Sequence, residues 1–185
     1  IAAKAGTGEV DLQARSLAFN NLTFLRENEA SGGFETYLWR IAKGSHLALF
    51  PNMNAADPVW AKLMRDVRFR RALSLGVDRE AVNESLYFGL AIMGNNTLLP
   101  ESPLFRKDYQ KQWAEYDPDM ASELLDEIGL TEYDDDDIRL MPDGRPLEII
   151  IETAGEDTEQ TDALELIAES WAEIGVKLYI KPSQR

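Results

Sequence analysis

The sequence predicts an α/β domain in which helices flank a mixed β-sheet, and three observations lead to that class. Asp57, Asp66 and Asp78 each precede an apolar helical pattern, so capped helices follow one another through the middle of the chain. A Pro-Asp-Gly turn joins the β-rich runs 138–141 and 147–153. The chain then closes with a strand, a helix and a second strand, which is the unit of parallel and mixed sheets.

The N-terminal part is predicted to contain one helix and one β-hairpin. Residues 8–12 are typical of a short strand or turn, and a helix follows from Asn20 to Ala30. The Ser-Gly-Gly sequence after that helix ends it, because glycine tolerates the left-handed cap conformation. Two β-rich runs, residues 34–41 and 46–52, are separated by Ala-Lys-Gly-Ser and therefore predict the hairpin.

Three helices in series are predicted over residues 57–88, and Pro58 occupies the first helical position of the first one. Gly76 is expected to end or bend the second helix, since glycine in a helix interior costs about 1 kcal/mol relative to alanine. Gly89 is expected to end the series. The residues of the second helix that are expected to face the core are Val67, Ala72, Leu75 and, in part, Phe69.

The C-terminal half begins with residues 89–112, whose glycines, prolines and lack of periodicity predict a long ordered loop. Asp117 begins a capped helix that ends at Gly129, and an acidic turn follows at residues 134–137. The last helix is predicted to start at a capping box of Asp157 and Gln160, to end at Gly175 and to lead into a strand over residues 176–181.

Composition excludes several classes of function. The chain has 185 residues, of which 44% are hydrophobic, so we expect a single folding unit with its own core. The formal net charge of -14 argues against binding to nucleic acid or to an anionic membrane surface, because both require basic groups. The absence of cysteine excludes disulfides and cysteine-ligated metal sites. No apolar run approaches the roughly 20 residues that a membrane span needs.

Motifs for catalysis, cofactors and metals are missing. His46 is the one histidine, so neither a zinc site nor a Ser-His-Asp triad has its usual partners, and we expect this side chain to be structural or exposed. A calcium loop beginning at Asp134 would place Ile138 and Arg145 where oxygen ligands are required. The phosphate-binding glycine motifs are likewise absent. We therefore expect a protein that is not an enzyme and that holds no metal or cofactor.

Five arginines lie within residues 65–79 of this acidic chain. Arginines between helices most simply pair with neighbouring carboxylates, while their aliphatic stems cover apolar surface. The alternative is an acidic interaction domain that docks a partner protein through this arginine cluster, with Arg68 and Arg71 as the docking residues. The sequence leaves both interpretations open.

Residues 66–91, DVRFRRALSLGVDREAVNESLYFGLA, resemble a segment of the family 5 extracellular solute-binding proteins, which include the dipeptide- and oligopeptide-binding receptors of bacterial ABC importers. The likeness extends from Gly8 to Lys181. Its other motifs, in chain order, are GEVDL, LALFPN, LLPESP, YDPDMASELLDEIGL, LMPDGRPLEIII and IAESWAEIGVKLYIK.

The resemblance implies one lobe of a two-lobed periplasmic-binding-protein fold of the class C type, which closes on its ligand. Residues 1–185 would form the larger part of the second lobe, with the first lobe and the C-terminal return outside this chain. The function implied is that of the substrate-binding component of an ABC importer, which captures peptides or related solutes outside the membrane and delivers them to the permease subunits. The location implied is periplasmic or extracellular.

The expected ligand site follows from geometry. Ligands of open α/β sheets lie beyond the carboxyl ends of strands and in long ordered loops. In this chain those places are the end of the predicted strand 46–52 and the loop 89–112. Asparagine amides offer donors and acceptors, and methionines adapt to varied apolar surfaces. The six candidate ligand-binding residues are Asn52, Met53, Asn54, Met93, Asn95 and Asn96.

Overall fold

A computed structural model describes residues 1–39, 43–153 and 158–183. The chain divides into two compact units, whereas a single folding unit was expected. The first unit comprises residues 1–42 and the second residues 43–185. The helices of the first unit are α1 (Ala2–Gly6), a 3-10 turn (Phe19–Asn21) and α2 (Leu22–Gly32). The elements of the second unit are α3 (Pro58–Arg65), α4 (Val67–Leu75), α5 (Arg79–Tyr87), α6 (Lys107–Lys111), α7 (Pro118–Glu127), β1 (Glu148–Thr153), α8 (Thr158–Ala172) and β2 (Lys177–Pro182).

The first unit is built on the packing of α1 against α2. The ring of Phe24 lies so close to Gly6 that a Cβ atom there would be 2.5 Å from the ring. The predicted end of α2 is confirmed, because Gly33 adopts the left-handed conformation with a φ of 69°. The N–H of Gly33 donates to the carbonyl of Glu29 and so satisfies one of the last helical acceptors.

The strands predicted in the first 52 residues are not formed. Residues 34–39 and 43–52 contain no strand, while residues 40–42 of the predicted hairpin lie outside the described part of the chain. Residues 8–12, predicted as a short strand or turn, begin in a turn at Gly8. Residues with a high β propensity are those whose side chains pack well on a half-buried pleated surface. Tyr37 and Trp39 are instead exposed, and no strand lies beside either run among the described residues. The prediction was wrong because strand formation needs a neighbouring strand.

Helices α3, α4 and α5 confirm the series that three aspartates predict. The carboxylates of Asp57, Asp66 and Asp78 each accept a backbone N–H of the first helical turn at 2.9 Å. Proline at the first position of α3 leaves no donor unpaired there. α4 ends at Leu75, and α5 ends before Phe88 and Gly89, which both have positive φ angles.

The buried face of α4 differs from the predicted one at its first residue. Phe69, Ala72 and Leu75 are fully buried, whereas Val67 is 45% exposed. Since residues three and four apart share a helix face, the face defined by Phe69 and Ala72 excludes Val67, which lies two positions earlier. Gly76 is the residue after the end of α4, as predicted, and it has no room for a side chain, because a Cβ atom there would lie 2.6 Å from Cδ1 of Ile174.

The predicted loop over residues 89–112 is ordered but contains the short helix α6. Asn95 connects the first part of this loop to that helix. Its backbone N–H donates to the carbonyl of Gln110 at 2.8 Å, and its side-chain amide donates to the carbonyls of Tyr109 at 3.3 Å and Gln112 at 2.5 Å. The loop is therefore closed by hydrogen bonds to its own C-terminal turn.

The turns of the C-terminal half agree with their sequence chemistry. Asp134 closes the acidic turn, since its Oδ1 accepts the N–H of Asp136 at 3.0 Å and that of Ile138 at 2.9 Å. The N–H of Gly144 donates to the carbonyl of Met141 in the predicted Pro-Asp-Gly turn. The prediction of a strand at residues 138–141 was wrong, because the β-pairing of these residues is limited to two isolated bridges.

β1 and β2 form a parallel pair, in which Glu148 lies beside Lys177 and Thr153 lies beside Pro182. α8 connects the two strands and packs against β2, so the predicted crossover and the α/β class are confirmed. Within the described ranges the sheet has these two strands, fewer than the predicted mixed sheet. The Asp157 part of the predicted capping box lies outside the described residues.

The core of the second unit lies between the helices and the inner face of this sheet. Trp171 of α8 is buried in it, and the indole N–H donates to the carbonyl of Leu73 at 3.0 Å. α8 is thereby linked to α4 by a buried hydrogen bond as well as by apolar contact. The fully buried residues around it are Phe69, Ala72, Leu75, Ala121, Leu125, Leu130, Leu147, Leu164 and Val176.

Candidate functional site

An open cleft of about 440 Å³ lies beside the carboxyl end of β1. One wall is the irregular segment of residues 43–50, and the facing wall is residues 151–153 of β1 together with Gln160 and Leu164 of α8. Asn96 closes the cleft from the loop that precedes α6. We call this space the β1 cleft. It lies where α/β proteins generally bind ligands, outside the carboxyl end of a strand.

The β1 cleft carries charged and polar side chains. Glu152 forms an ion pair with Lys181 at 2.9 Å, and this lysine lowers the pKa of the Glu152 carboxyl. Lys43 is exposed on the opposite wall. Nδ1 of His46 lies 3.3 Å from Oε1 of Glu159, in the first turn of α8. The cleft can therefore offer both hydrogen-bond donors and acceptors to a ligand.

A second cavity of about 200 Å³ lies at the amino end of β1. Asn52, Trp60 and Met64 line it together with residues 148–150. Asn52 and Asn96 are therefore placed at opposite ends of β1, in two separate spaces. Because residues 46–52 do not form the predicted strand, Asn52 does not stand at the carboxyl end of a strand.

The other candidate residues, Met53, Asn54, Met93 and Asn95, line neither of these two spaces. Asn52, Met53 and Asn54 form an exposed turn, in which Oδ1 of Asn52 accepts the N–H of Asn54 at 3.1 Å. Arg65 donates to the carbonyl of Met53 at 2.7 Å and so attaches the turn to the end of α3. Met93 is about half exposed, at 48%. The role of all six residues in binding a ligand stays a prediction.

The arginines of residues 65–79 mostly serve the chain's own helix ends. Arg70 donates to the carbonyl of Met64, near the end of α3, at 2.7 Å. Arg79 donates to the carbonyl of Ser74 at 2.8 Å, to its hydroxyl at 2.9 Å and to the carbonyl of Ala114 at 3.2 Å. Burial lowers the pKa of Arg79. Arg70 thus supplies a donor at the end of α3, and Arg79 joins the end of α4 to the segment between α6 and α7.

Arg68 and Arg71 have different partners. Arg68 holds the Asp66 carboxylate through two nitrogens, at 2.8 Å and 3.2 Å, and its hydrogen bonds lower the pKa of Asp66. Arg71 lies over the ring of Trp113, 4.4 Å from the ring centroid. Both contacts agree with the interpretation in which these arginines bind groups of their own chain. Docking of a partner protein by these two residues stays a prediction.

We expect Arg68→Ala to lower the melting temperature only slightly. The side chains of Arg68 and Asp66 are 41% and 26% exposed, so water and salt screen their attraction. Asp66 also keeps its bond to the N–H of residue 68, which the substitution does not remove. Thermal unfolding of both proteins at low and high salt tests this, and the difference should shrink with added salt. A large decrease that salt does not change would contradict a screened surface pair.

Sequence reasoning missed Arg139, which is 1% exposed. Its Nε donates to the carbonyl of Ile174 at 2.9 Å, and Nη1 donates to the carbonyl of Leu130 and to Asp126. The guanidinium also lies 4.9 Å from the ring centroid of Tyr133. The only signal in the sequence for this buried arginine is its position inside the apolar run IRLM. A single cation in such a run is equally typical of an exposed position on a strand.

Metal clusters and membrane-spanning helices are not found in residues 1–39, 43–153 and 158–183. These residues include no group of three or more histidine, aspartate or glutamate side chains placed to hold a metal ion. Their helices are all too short or too polar to cross a membrane.

Comparison with known proteins gives consistent matches. The model for bacterial extracellular solute-binding proteins, family 5 Middle, matches residues 1–185. The dipeptide-binding protein of Escherichia coli (strain K12) is 28% identical over 141 residues, which are 75% of this chain and 24% of that protein. The structure of oligopeptide-binding protein OppA is 41% identical with a TM-score of 0.80, and the match covers 100% of this chain and 30% of that one.

A further solved structure is an oligopeptide-binding protein from Thermus thermophilus, complexed with a pentapeptide. It is 26% identical with a TM-score of 0.60, over 68% of this chain and 21% of that protein. The chain thus spans less than a third of the length of each of these three proteins. Because the family match extends over all 185 residues, the chain belongs to the bacterial extracellular solute-binding proteins of family 5.

Proposed function

We propose that this chain is part of the substrate-binding component of an ABC importer, which captures peptides or related solutes outside the membrane and delivers them to the permease. The observation that carries the proposal is the family match over residues 1–185. The fold similarity to an oligopeptide-binding protein over the whole chain supports it. The protein would act in the periplasm or at the cell exterior.

The chain would form the larger part of the second lobe, with the first lobe and the C-terminal return supplied by sequence outside residues 1–185. Its coverage of 30% of the oligopeptide-binding protein supports this assignment. A ligand would then lie between the two lobes, so that the residues described here contribute one side of the binding site. Much of the affinity would depend on the other side.

Peptides are the proposed ligand class, because the relatives described above are dipeptide- and oligopeptide-binding proteins. Of the six candidate residues, Asn96 has the strongest support, since it lines the β1 cleft. Its amide can both donate and accept hydrogen bonds, as recognition of a peptide main chain requires. Asn52 would contribute only if the ligand reaches the cavity at the amino end of β1.

The proposed activity is binding without catalysis. A hydrolase needs a nucleophile with a base placed beside it. Among the described residues the sole histidine contacts Glu159 and Tyr87, and neither a serine nor a threonine hydroxyl is hydrogen-bonded to it. The alternative of a docking domain gains nothing from the arginines of residues 65–79, which contact their own chain.

Calorimetric titration with a set of dipeptides to pentapeptides tests the function and locates the site. The protein should be used with its native flanking sequence retained. We expect saturable binding, no peptide hydrolysis, and an affinity that Asn96→Ala weakens about three- to tenfold, the effect of one lost hydrogen bond.

Asn52→Ala is the matched variant, because it removes the same side chain at the other end of β1. If the ligand occupies the β1 cleft alone, Asn52→Ala should leave the affinity unchanged. An effect of Asn52→Ala without an effect of Asn96→Ala would move the site to the smaller cavity. No binding of any peptide would contradict the proposed ligand class.

A further inference from the structure

Asn95 anchors the loop that precedes α6 to the C-terminal end of that helix. Its backbone N–H donates to the carbonyl of Gln110 at 2.8 Å, and its side-chain amide donates to the carbonyls of Tyr109 and Gln112. Carbonyls at the end of a helix have no partner inside the helix, so these donors stabilise that end. A Cβ atom at the preceding Gly94 would lie 2.8 Å from the same Gln110 oxygen, so the two backbones are in close contact there.

The side-chain nitrogen of Asn95 is committed to its own chain. A side-chain amide has two N–H donors, and two hydrogen bonds to backbone carbonyls leave from this nitrogen. It therefore has no donor left for a ligand. Asn96, by contrast, is exposed and lines the β1 cleft. The two neighbouring asparagines are alike in sequence but have different surroundings.

Asn96 also lies directly against the wall of the β1 cleft. A Cβ atom at Gly44 would be 2.9 Å from Oδ1 of Asn96 and 2.6 Å from the carbonyl oxygen of Thr97. Only a residue without a side chain allows the loop to approach this closely. The loop around Asn96 is thus in contact with both α6 and segment 43–50, and a shift of the loop at either place would move Asn96.

We propose that Asn95 is a positioning residue of the β1 cleft: by anchoring the loop to α6 it holds Asn96 against Gly44 at the edge of the cleft, where Asn96 binds the main chain of a peptide. This inference rests on the proposed function, since it concerns how that same site is assembled. It gives Asn95 a place behind the site instead of a contact with the ligand. Without the anchor, the loop must be ordered when the ligand binds, and that ordering lowers the affinity.

The first test is a double-variant cycle measured by calorimetric titration of a bound peptide into the protein with its native flanking sequence. We expect Asn95→Ala to weaken binding about two- to fivefold. In the Asn96→Ala background the same substitution should have no further effect, because a residue that acts through Asn96 loses its influence with that side chain. Additive losses, or an unchanged affinity in Asn95→Ala, would overturn the proposal.

Two further variants narrow the cause. Asn95→Asp keeps the size of the side chain but removes its donors, so we expect it to lose at least as much affinity as Asn95→Ala. Ser102→Ala removes a different hydrogen bond of the same loop, in which the hydroxyl accepts the N–H of Leu104 at 3.3 Å, and should leave the affinity unchanged. An equal loss in Ser102→Ala would show that any loosening of the loop is sufficient, and the special role of Asn95 would be refuted.

The second test needs no ligand and follows hydrogen exchange of the backbone N–H of residue 95, which can still donate to the carbonyl of Gln110 in Asn95→Ala. If the side chain anchors the loop, this N–H should exchange about three- to tenfold faster in the variant. Equal rates, corrected for the intrinsic exchange of the two residues, would sink the inference even if peptides bind. Faster exchange in a protein that binds no peptide would refute the proposed function and leave the anchoring by Asn95 in place.

Discussion

Replacing Arg139 by alanine is expected to lower the free energy of unfolding by about 3–5 kcal/mol. The guanidinium is the donor for the carbonyls of Ile174 and Leu130, and a third contact joins it to the carbonyl of Ser122 at 3.5 Å. A buried carbonyl that loses its donor costs about 1–3 kcal/mol. The space left by the side chain adds the cost of a cavity. Urea unfolding of the two proteins measures the difference.

Two further variants separate the causes. Arg139→Met fills much of the volume but supplies no donor, so we expect it to recover the cavity part of the loss and no more. Arg145→Ala removes an arginine that pairs with Asp57 and Asp143 at the surface, where its side chain is 48% exposed. Its effect should be a small fraction of that of Arg139→Ala, because water screens the pairs. Similar losses for the two alanine variants would contradict the role assigned to burial.

Gly175→Ala is expected to lower the free energy of unfolding by about 2–4 kcal/mol. Gly175 follows α8 with a φ of 73°, a conformation that costs other residues about 1–2 kcal/mol. An added Cβ atom would also lie 2.7 Å from Cγ of Arg139 and 2.8 Å from Cε1 of Tyr133. Crowding of this kind in a packed interior typically costs about 1–3 kcal/mol.

Gly144→Ala is the matched control for Gly175→Ala. Gly144 has a similar φ of 82°, yet an added Cβ atom there would meet no heavy atom within 4 Å. Its substitution should therefore show the conformational cost of about 1–2 kcal/mol alone. Denaturant unfolding of both variants gives the packing contribution as the difference between them. If the two losses are equal, crowding against Arg139 has no part in the effect.

Helix starts and tight turns were predictable because their causes are local. The caps at Asp57, Asp66 and Asp78 depend on a carboxylate and on N–H groups two or three residues further on, all of which are adjacent in the sequence. The same holds for the turn at Gly144 and for the end of α2 at Gly33. Likewise, the order of a strand, an apolar helix and a second strand was sufficient to predict the crossover connection.

Strands and the candidate site were less predictable because they depend on distant partners. Residues 46–52 have β-rich composition but gain no neighbouring strand among the described residues, so they form the irregular wall of the β1 cleft. Asn52 and Asn96 look alike in sequence, yet packing places them at opposite ends of β1. The meeting of His46 with Glu159 joins residues more than one hundred positions apart.

The sequence by itself determined the α/β class, the capped helices, the family resemblance and the absence of cysteine chemistry, since all of these are written in local patterns or in composition. Only the tertiary structure decided which polar side chains are buried and which line a cleft. Arg139 and Arg145 illustrate the difference: one is sealed among carbonyls of three chain segments, and the other is paired at the surface. The burial of a side chain depends on contacts with many distant parts of the chain, and those contacts cannot be read from a single sequence.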